Sequence, residues 1–535
     1  MNHLLAIDVG TLSARAGVFD GEGTLHATAA ASFELIKPAE HHAIYRMEDI
    51  WTAVCRAVAQ CIAQTPGGAK TIAGLAFDAT SSVYIDAQGE PPLDGGGDVI
   101  CWMDHRGEAQ AAEVDATGHR FLSHVGGSLS PETNLPKLLW LKRNRPEAWA
   151  RVRGVRDLCD ELARRATSVG RHSVCGLACK WPYLPNDTEP WCQDLLDDLG
   201  IGDLTTLDHL SDRPGKVGEV HATVSKKAAA ELGILAGVPV AIGLIDAEAG
   251  ALGVLGRNYL ARMNNLLPMI GGTSTCYMPF ARDERFVPGV WGPFKDAVFP
   301  GYWMHEAGQS LSGTALDAVL AHHPASPGQP SSELHRQTAN RILKLLDEEG
   351  SGFAATRHIV PDWLGNRAPL GDGRVRALAT GLGTETGERS FLESYYATAR
   401  ALALQTRHII DHLNARGRYA IDSVALAGGH LHNPLLVRLY RDAIGAKLIV
   451  SDAKEPVLLG TAMVASRAAG LYPDLFTALE AMAPRQTTLE PDPDWQLAHD
   501  AAYRIYLKLF NVRNEVEVAG RALEALLPHK RSGAL

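Results

Sequence analysis

The segment "GLIDAEAG", Gly243 to Gly250, sets one ionisable residue, Asp246, directly after the apolar run "VPVAIGLI" and surrounds it with small residues. A carboxylate so placed pairs with a buried partner, caps the helix that begins "AEAGAL", or handles a proton. Three further stretches join a strand to a polar turn. "DVGTLSAR" offers N–H groups around Gly10, the Thr11 and Ser13 hydroxyls and the Asp8 carboxylate. "GGTST" offers Gly271, Gly272, Thr273, Ser274 and Thr275, and "AGGHLHNP" offers Gly428, Gly429 and the Asn433 amide. Such turns can surround phosphate oxygens, because glycine lets the backbone approach closely and hydroxyls add donors. Asp8 would hold Mg2+ rather than phosphate, through water, since that ion keeps several waters. Taken singly, each stretch is equally an ordinary turn.

The elements that must position these groups follow from periodicity. "LLAIDV" reads as a buried strand, Gly10 to Ser13 as a turn, and "ARAGVFD" as the returning strand. "TIAGLAFDATSSVYID" is another apolar run that ends in polar groups. Between them, "MEDIWTAVCRAVAQCIAQ" places Ile50, Val54, Val58 and Ile62 at helical spacing. "VPVAIGLI" reads as a strand that delivers Asp246, and "LLPMIGGTSTCYM" opens a second half. "SVALAGGHLHNPLLVRLYRDAIG" repeats the strand, turn and helix pattern, with Leu435, Leu436, Leu439 and Ile444 inward. Strands alternating with helices predict an α/β fold in two halves, 1–258 and 259–535. "AHHPASPGQPSSEL" reads as a surface loop, and the last forty residues as terminal helices.

Bulk properties narrow the function. The 535 residues carry a net charge of −10, so no field favours nucleic acid or an anionic membrane, and a small molecule is the expected partner. The apolar run at the N-terminus stops at Asp8, too short for a signal peptide. The eight scattered cysteines suit reduced thiols in cytoplasm. "CGLAC" holds Cys175 and Cys179 near His172 but lacks a second cysteine pair at zinc-finger spacing, so packing is the expected role. Neither "GxxxxGK[ST]" nor an early "GxGxxG" occurs, which argues against P-loop and Rossmann sites.

Taken in order, the junctions resemble those of the FGGY carbohydrate kinases, within the sugar kinase, Hsp70 and actin superfamily. "AIDVGTLSARAGVFD" and "IGGTSTCYM" resemble its two phosphate segments, "GLIDAEAGALG" its catalytic segment and "ALAGGHLHNPLLVRLYRDAIGAKL" its adenosine segment. "EPVLLGTAMVAS" resembles the helix behind the base. "PKLLWLKRN" and "GQSLSGTALD" resemble the signature regions, with Asn134 where a small or proline-like residue is usual. The resemblance implies two actin-like ATPase (ribonuclease-H-like) domains flanking a nucleotide and sugar cleft, with ATP and Mg2+ as cofactors. It implies Asp246 as general base, Asp8 toward the metal, and Gly10, Thr11, Ser13, Arg15, Gly272, Thr273, Ser274, Gln309, Gly428, Gly429 and Asn433 along the nucleotide.

"DATSS", "CWMDHR", "CKW" and "EAGQSLSG" look most like the pentulose-kinase branch. By that resemblance Ser81, Lys180, Asp246 and Glu306 contact a ketopentose, with Trp102 and Asp104 nearby. The run through "VGGSLSPETNLPKLLWLKRN" looks closest to the subgroup that phosphorylates D-ribulose, with L-ribulose and pentitols such as ribitol as alternatives. This chain reads "CGLACKW" where that subgroup reads "CSLVCKW", so Gly176 and Ala178 replace Ser and Val. Two other classes stand against the kinase: an actin- or Hsp70-type ATPase and a sugar-binding pseudokinase. A homodimer is one option for the assembly.

Overall fold

The computed structural model describes residues 2–208, 210 and 212–526. Two twisted mixed sheets form the cores of two lobes. In the first, β1 (His3–Val9), β2 (Ser13–Phe19) and β3 (Leu25–Ser32) form an antiparallel meander. Strand β1 also pairs in parallel with β4 (Ile72–Ala79), and the sheet continues through β6 (Pro239–Ala241) to β5 (Val220–Thr223). Helix α1 (Met47–Gln64) covers one face and buries Ile50, Val54 and Val58, as its spacing predicts. Helices α2 (Asn134–Asn144) and α3 (Val174–Lys180) belong to the same lobe.

The run "VPVAIGLI" departs from the single strand expected of it. It splits into β6 and β7 (Leu244–Ile245), both parallel to β4. Val240 lies opposite Leu75 and Leu244 opposite Asp78, so one extra residue is inserted on the later strand. The chain passes so close to β4 that a Cβ on Gly243 would lie 2.3 Å from the Phe77 carbonyl oxygen. Such an insertion bends a strand and redirects the element after it. The element redirected here is α4 (Asp246–Val254).

The second sheet is built around β8 (Leu266–Gly271), which pairs antiparallel with β9 (Thr275–Tyr277) and parallel with β13 (Ser423–Ala427). One edge runs through β12 (Trp303–Gln309) to β10 (Phe280–Ala281) and β11 (Trp291–Lys295). The other runs through β14 (Lys447–Ser451) to β15 (Gln486–Leu489). The long helix α5 (Glu388–Gly417) and α6 (Pro434–Ala443) pack on this sheet, and α6 buries Leu435, Leu436 and Leu439 as expected. Helix α7 (Pro456–Ala468) returns to the first lobe, where it packs on α4, β1 and β4. A single helix, α8 (Pro493–Leu526), stands where terminal helices were expected, and residues 527–535 lie outside the described residues.

Helices α4 and α7 cross between the lobes with their backbones in contact. A Cβ on Gly253 would sit 1.8 Å from the Pro456 carbonyl oxygen, and one on Gly460 would sit 2.0 Å from that of Ala249. Around this crossing, Leu252, Val254, Leu458, Met463 and residues of both sheets share one apolar core.

Candidate active site

Strand pairing alone gathers three carboxylates. Asp8 on β1 lies opposite Asp78 on β4, Asp78 lies opposite Leu244 on β7, and Asp246 comes two residues later. All three therefore emerge at the C-terminal ends of neighbouring parallel strands, where open α/β sheets bind ligands. Arg15, the cross-strand partner of Asp8, places Nη2 2.6 Å from Asp8 Oδ2, and its Nη1 lies 3.6 Å from Glu455. The Thr461 hydroxyl on α7 donates to Asp78 Oδ2. Burial raises the pKa of Asp8 and Asp78, and their proximity pushes Asp78 further. Asp8 Oδ1 and Asp78 Oδ1 are buried acceptors with no hydrogen-bond partner among the described residues. Two hard oxygens of this kind suit Mg2+.

Asp246 is the first residue of α4. Ile245 holds the cap position, and among the described residues Asp246 Oδ1 accepts only the neighbouring Ala247 N–H, at 2.8 Å. Burial, then the charge of Asp8, pushes its pKa up to about 7, while Lys180 and Arg15 pull it down. A carboxylate that titrates near neutrality is matched to accepting a proton from a hydroxyl. Two residues on, Glu248 is fully buried, both its oxygens lack a hydrogen-bond partner among the described residues, and its pKa is raised to about 8. It faces Cys175 and Cys179, with the three potential ligand atoms within 4.8 Å of one another. Burial pushes both thiols up and keeps them protonated.

The two glycine-rich turns meet back to back. Gly428 has φ +87°, and a Cβ there would lie 2.4 Å from the Gly271 carbonyl oxygen. The Gly272 carbonyl accepts from Gly313 N at 3.0 Å and from Ser312 Oγ at 3.1 Å, and Ser312 N donates to Thr273 O at 2.9 Å. His430 Nε2 sits 3.0 Å from Gly272 O. These bonds hold the turn by its carbonyls. The N–H groups of Thr11, Leu12, Thr273 and Ser274 make no hydrogen bond among the described residues. Gly429 has no contact that would exclude a ligand from its Cα. Two other expected nucleotide ligands are engaged by the protein itself, Gln309 only through its nitrogen. Asn433 caps α6 through Leu435 N and Leu436 N and donates to the Tyr395 hydroxyl. The Gln309 Nε2 donates to Leu402 O on α5, and its Oε1 is a buried acceptor without a partner among the described residues. Gly10 N and Ser13 O, 3.0 Å apart, close the first turn.

The sugar-side residues divide in the same way. Lys180, at the end of α3, and Glu306, on β12, form a buried pair 3.0 Å apart that bridges the lobes. Burial works against the lysine's charge, and the Glu306 carboxylate outweighs it and holds the lysine charged. Trp102 donates from Nε1 to Thr11 Oγ1 at 3.1 Å and so ties the sugar side to the first phosphate turn. Ser81 is partly exposed just beyond β4 and makes no side-chain hydrogen bond among the described residues. Asp104 is not free for a sugar. It is fully buried, accepts Arg106 Nε and Nη2 at 2.8 and 2.7 Å, and also binds Ala43 N at 2.6 Å.

Residues not named among the expected site residues complete the site. Lys137, fully buried on α2, donates to the carbonyls of Cys101, Trp102 and Glu132 at 3.0, 3.0 and 2.8 Å, and so fixes Trp102 and Glu132 together. Burial lowers its pKa to about 8. Arg367 and Trp291 reach the same place from the second lobe, Arg367 binding Glu132 across 235 residues of sequence.

Two residues noted as unusual, Asn134 in the signature region and Gly176 in "CGLACKW", meet at one carboxyl. Asp157 accepts Asn134 Nδ2 at 2.9 Å and Trp181 Nε1 at 2.8 Å. A Cβ on Gly176 would lie 2.3 Å from Asp157 Oδ2. Position 176 therefore faces Asp157 inside the first lobe, one turn from Lys180. Gly176→Ser should lower stability by about 1–3 kcal/mol, as overpacking does. With Asp157→Ser present it should cost less, leaving a coupling above about 0.5 kcal/mol in a double-mutant cycle read by chemical denaturation. Additive effects would contradict the contact.

Comparison with known proteins identifies the family. The N-terminal domain of the FGGY family of carbohydrate kinases matches residues 3–253, and its C-terminal domain matches residues 267–469. A Xenopus laevis protein named FGGY carbohydrate kinase domain-containing protein is 34% identical, over 97% of this chain and 98% of its own length. A D-ribulokinase of Saccharomyces cerevisiae is 29% identical, over 87% of this chain and 71% of its own. The structure of a ligand-bound xylulose kinase from Lactobacillus acidophilus superposes with a TM-score of 0.79. It covers 96% of this chain and 98% of that one at 16% identity, a likeness of fold alone.

Proposed function

Because the chain belongs to the FGGY family of carbohydrate kinases, we propose that it transfers the γ-phosphoryl group of ATP to a ketopentose hydroxyl, converting D-ribulose to D-ribulose 5-phosphate. The observation that carries this reading is the convergence of Asp246, the Asp8–Asp78 pair and the Lys180–Glu306 bridge beside two turns with unused N–H donors. The similarity to a D-ribulokinase supports the choice of sugar.

In this reading Asp246 accepts the proton of the attacking hydroxyl as that oxygen approaches the γ-phosphorus, and ADP departs. Phosphoryl transfer depends mostly on positioning and charge stabilisation, and one carboxylate for the nucleophile suffices. The N–H groups of Thr11, Thr273 and Ser274 bind phosphate oxygens, and Gly428 and Gly429 leave room for the nucleoside. Asp8 and Asp78 would hold Mg2+, which when bound neutralises phosphate charge. Lys180 and Glu306 bind sugar hydroxyls, with Ser81 and Trp102 beside them. We place the division between the lobes at 258/259, and closure across it excludes water. No helix among the described residues is long and apolar enough to cross a membrane. The cytoplasm, which supplies ATP and keeps thiols reduced, is the compartment this reading assigns.

The test is coupled ADP release with Mg-ATP against D-ribulose, L-ribulose, D-xylulose, L-xylulose, ribitol and glycerol, with a no-sugar control. D-ribulose should give the highest kcat/KM. A clear preference for L-ribulose or ribitol would replace the sugar and keep the reaction. No sugar-dependent release from folded protein would overturn the reading.

A further inference from the structure

We propose that Arg367 is a sugar-binding residue of this kinase, oriented by Glu132, and that it favours a ketose over the corresponding polyol. The inference rests on the proposed function, since it assigns a ligand to that same cleft.

Its position comes first. Arg367 Nη2 lies 2.9 Å from both Glu132 oxygens, joining the second lobe to the first. The guanidinium carbon lies 5.9 Å from the Trp102 ring centre and 5.7 Å from that of Trp291. Lys180 Nζ lies 5.0 Å from the same Trp291 ring, and Trp291 is the cross-strand partner of Glu306. Arg367 therefore stands against the residues expected to hold the sugar. Its stem crosses β12 at Gly308, where a Cβ would come within 3.0 Å of Arg367 Cδ.

The bonding pattern distinguishes a ligand-binding arginine from a plain ion pair. A guanidinium used only as a strut would offer its fork, two nitrogens to two oxygens. Here one nitrogen serves both carboxylate oxygens, and Nη1 and Nε have no hydrogen-bond partner among the described residues. Neither of those nitrogens is sealed from solvent, although the side chain as a whole is only 13% exposed. Unused donors on a largely buried cation are costly unless something accepts from them.

The scaffold holds the cation rigidly on both sides. The neighbouring Asn366 is buried, donates to Asp362 at 3.0 Å and accepts from Leu370 N at 2.9 Å. On the other side, Lys137 binds the Glu132 carbonyl, and His105 Nε2 lies 3.8 Å from the carboxylate. A guanidinium only donates, so a ketone oxygen, which only accepts, suits it better than a polyol hydroxyl, which also brings a donor.

The test compares wild type with Arg367→Gln, Arg367→Lys and Glu132→Gln, each checked for folding by circular dichroism and thermal melting. The KM for the preferred pentulose should rise at least tenfold in Arg367→Gln, with the KM for ATP within twofold. The kcat/KM ratio of ketose to ribitol should narrow in the same variant. Arg367→Lys and Glu132→Gln should give smaller rises in sugar KM, and they carry the test if Arg367→Gln does not fold. A sugar KM within twofold of wild type in the folded variants, or sugar and ATP KM rising together with a lower melting temperature, would overturn the assignment and leave the kinase standing. A wild-type protein without sugar-dependent turnover would remove the kinase reading itself and this assignment with it.

Discussion

Asparagine in place of Asp246 is expected to lower kcat by about 10²–10⁴-fold, the usual worth of general acid–base catalysis, with the KM for ATP little changed. Asparagine keeps the size of the side chain and its bond from Ala247 N, and removes only the basicity. The wild-type pH profile should report the same group. Burial and the charge of Asp8 raise its pKa to about 7, so below that pH Asp246 is protonated and cannot accept the sugar proton. Sugar kcat/KM should therefore fall about tenfold per pH unit on the acid side, and the residual activity of the asparagine variant should lack that limb. The sign for stability is opposite. A carboxyl whose folded pKa lies above its unfolded value penalises the fold increasingly as pH rises from about 4 to 7, and fully above that range. The variant should thus melt no lower than wild type at pH 8, which separates lost chemistry from lost fold. Near-normal kcat would return Asp246 to a structural role at the start of α4.

Alanine at Gly460 is expected to damage both stability and catalysis through one displacement. The added methyl carbon would lie 2.0 Å from the Ala249 carbonyl oxygen, a backbone atom in the middle of α4. The helices can accept it only by moving apart, and Gly253 shows the crossing is equally tight in the other direction. Overpacking of this kind costs about 1–3 kcal/mol, sometimes more. Helix α4 begins at Asp246, and α7 carries the Thr461 hydroxyl that holds Asp78. A shift of about 1 Å in such groups can cost about 100-fold in rate. Gly460→Ala should therefore lower the melting temperature and reduce kcat at least tenfold. Gly520→Ala in α8, where a Cβ meets nothing within 4 Å, should be neutral or slightly stabilising. Wild-type melting and turnover in Gly460→Ala would contradict the crossing described here.

The legible parts of the structure are those that local pattern determines. Strands β1 and β2 and the turn between them follow from an apolar run interrupted at Gly10, and α1 and α6 follow from helical spacing. The split of "VPVAIGLI" was hidden, because the insertion at Gly243 answers to a carbonyl on Phe77, far away in sequence. Asp246, Lys180 and Glu306 stood in recognisable segments, and the fold brings them within electrostatic reach of one another. Trp291 and Arg367 left no signal, since packing between the lobes brings them to Trp102 and Glu132. Asn433 illustrates a signal with two meanings. An asparagine followed by proline at a helix start is also a capping pattern, and here Asn433 Oδ1 makes the cap while its Nδ2 binds the Tyr395 hydroxyl. Asp104 lies two residues from Arg106, and the pair satisfies itself.

The most direct test of the central claim is a 31P NMR spectrum of Mg-ATP and D-ribulose incubated with the protein. The expected result is a new phosphomonoester signal that matches authentic D-ribulose 5-phosphate, grows in equal amount with ADP, and requires the sugar. ADP appearing with inorganic phosphate and no sugar phosphate would contradict it, because the cleft would then be passing the phosphoryl group to water.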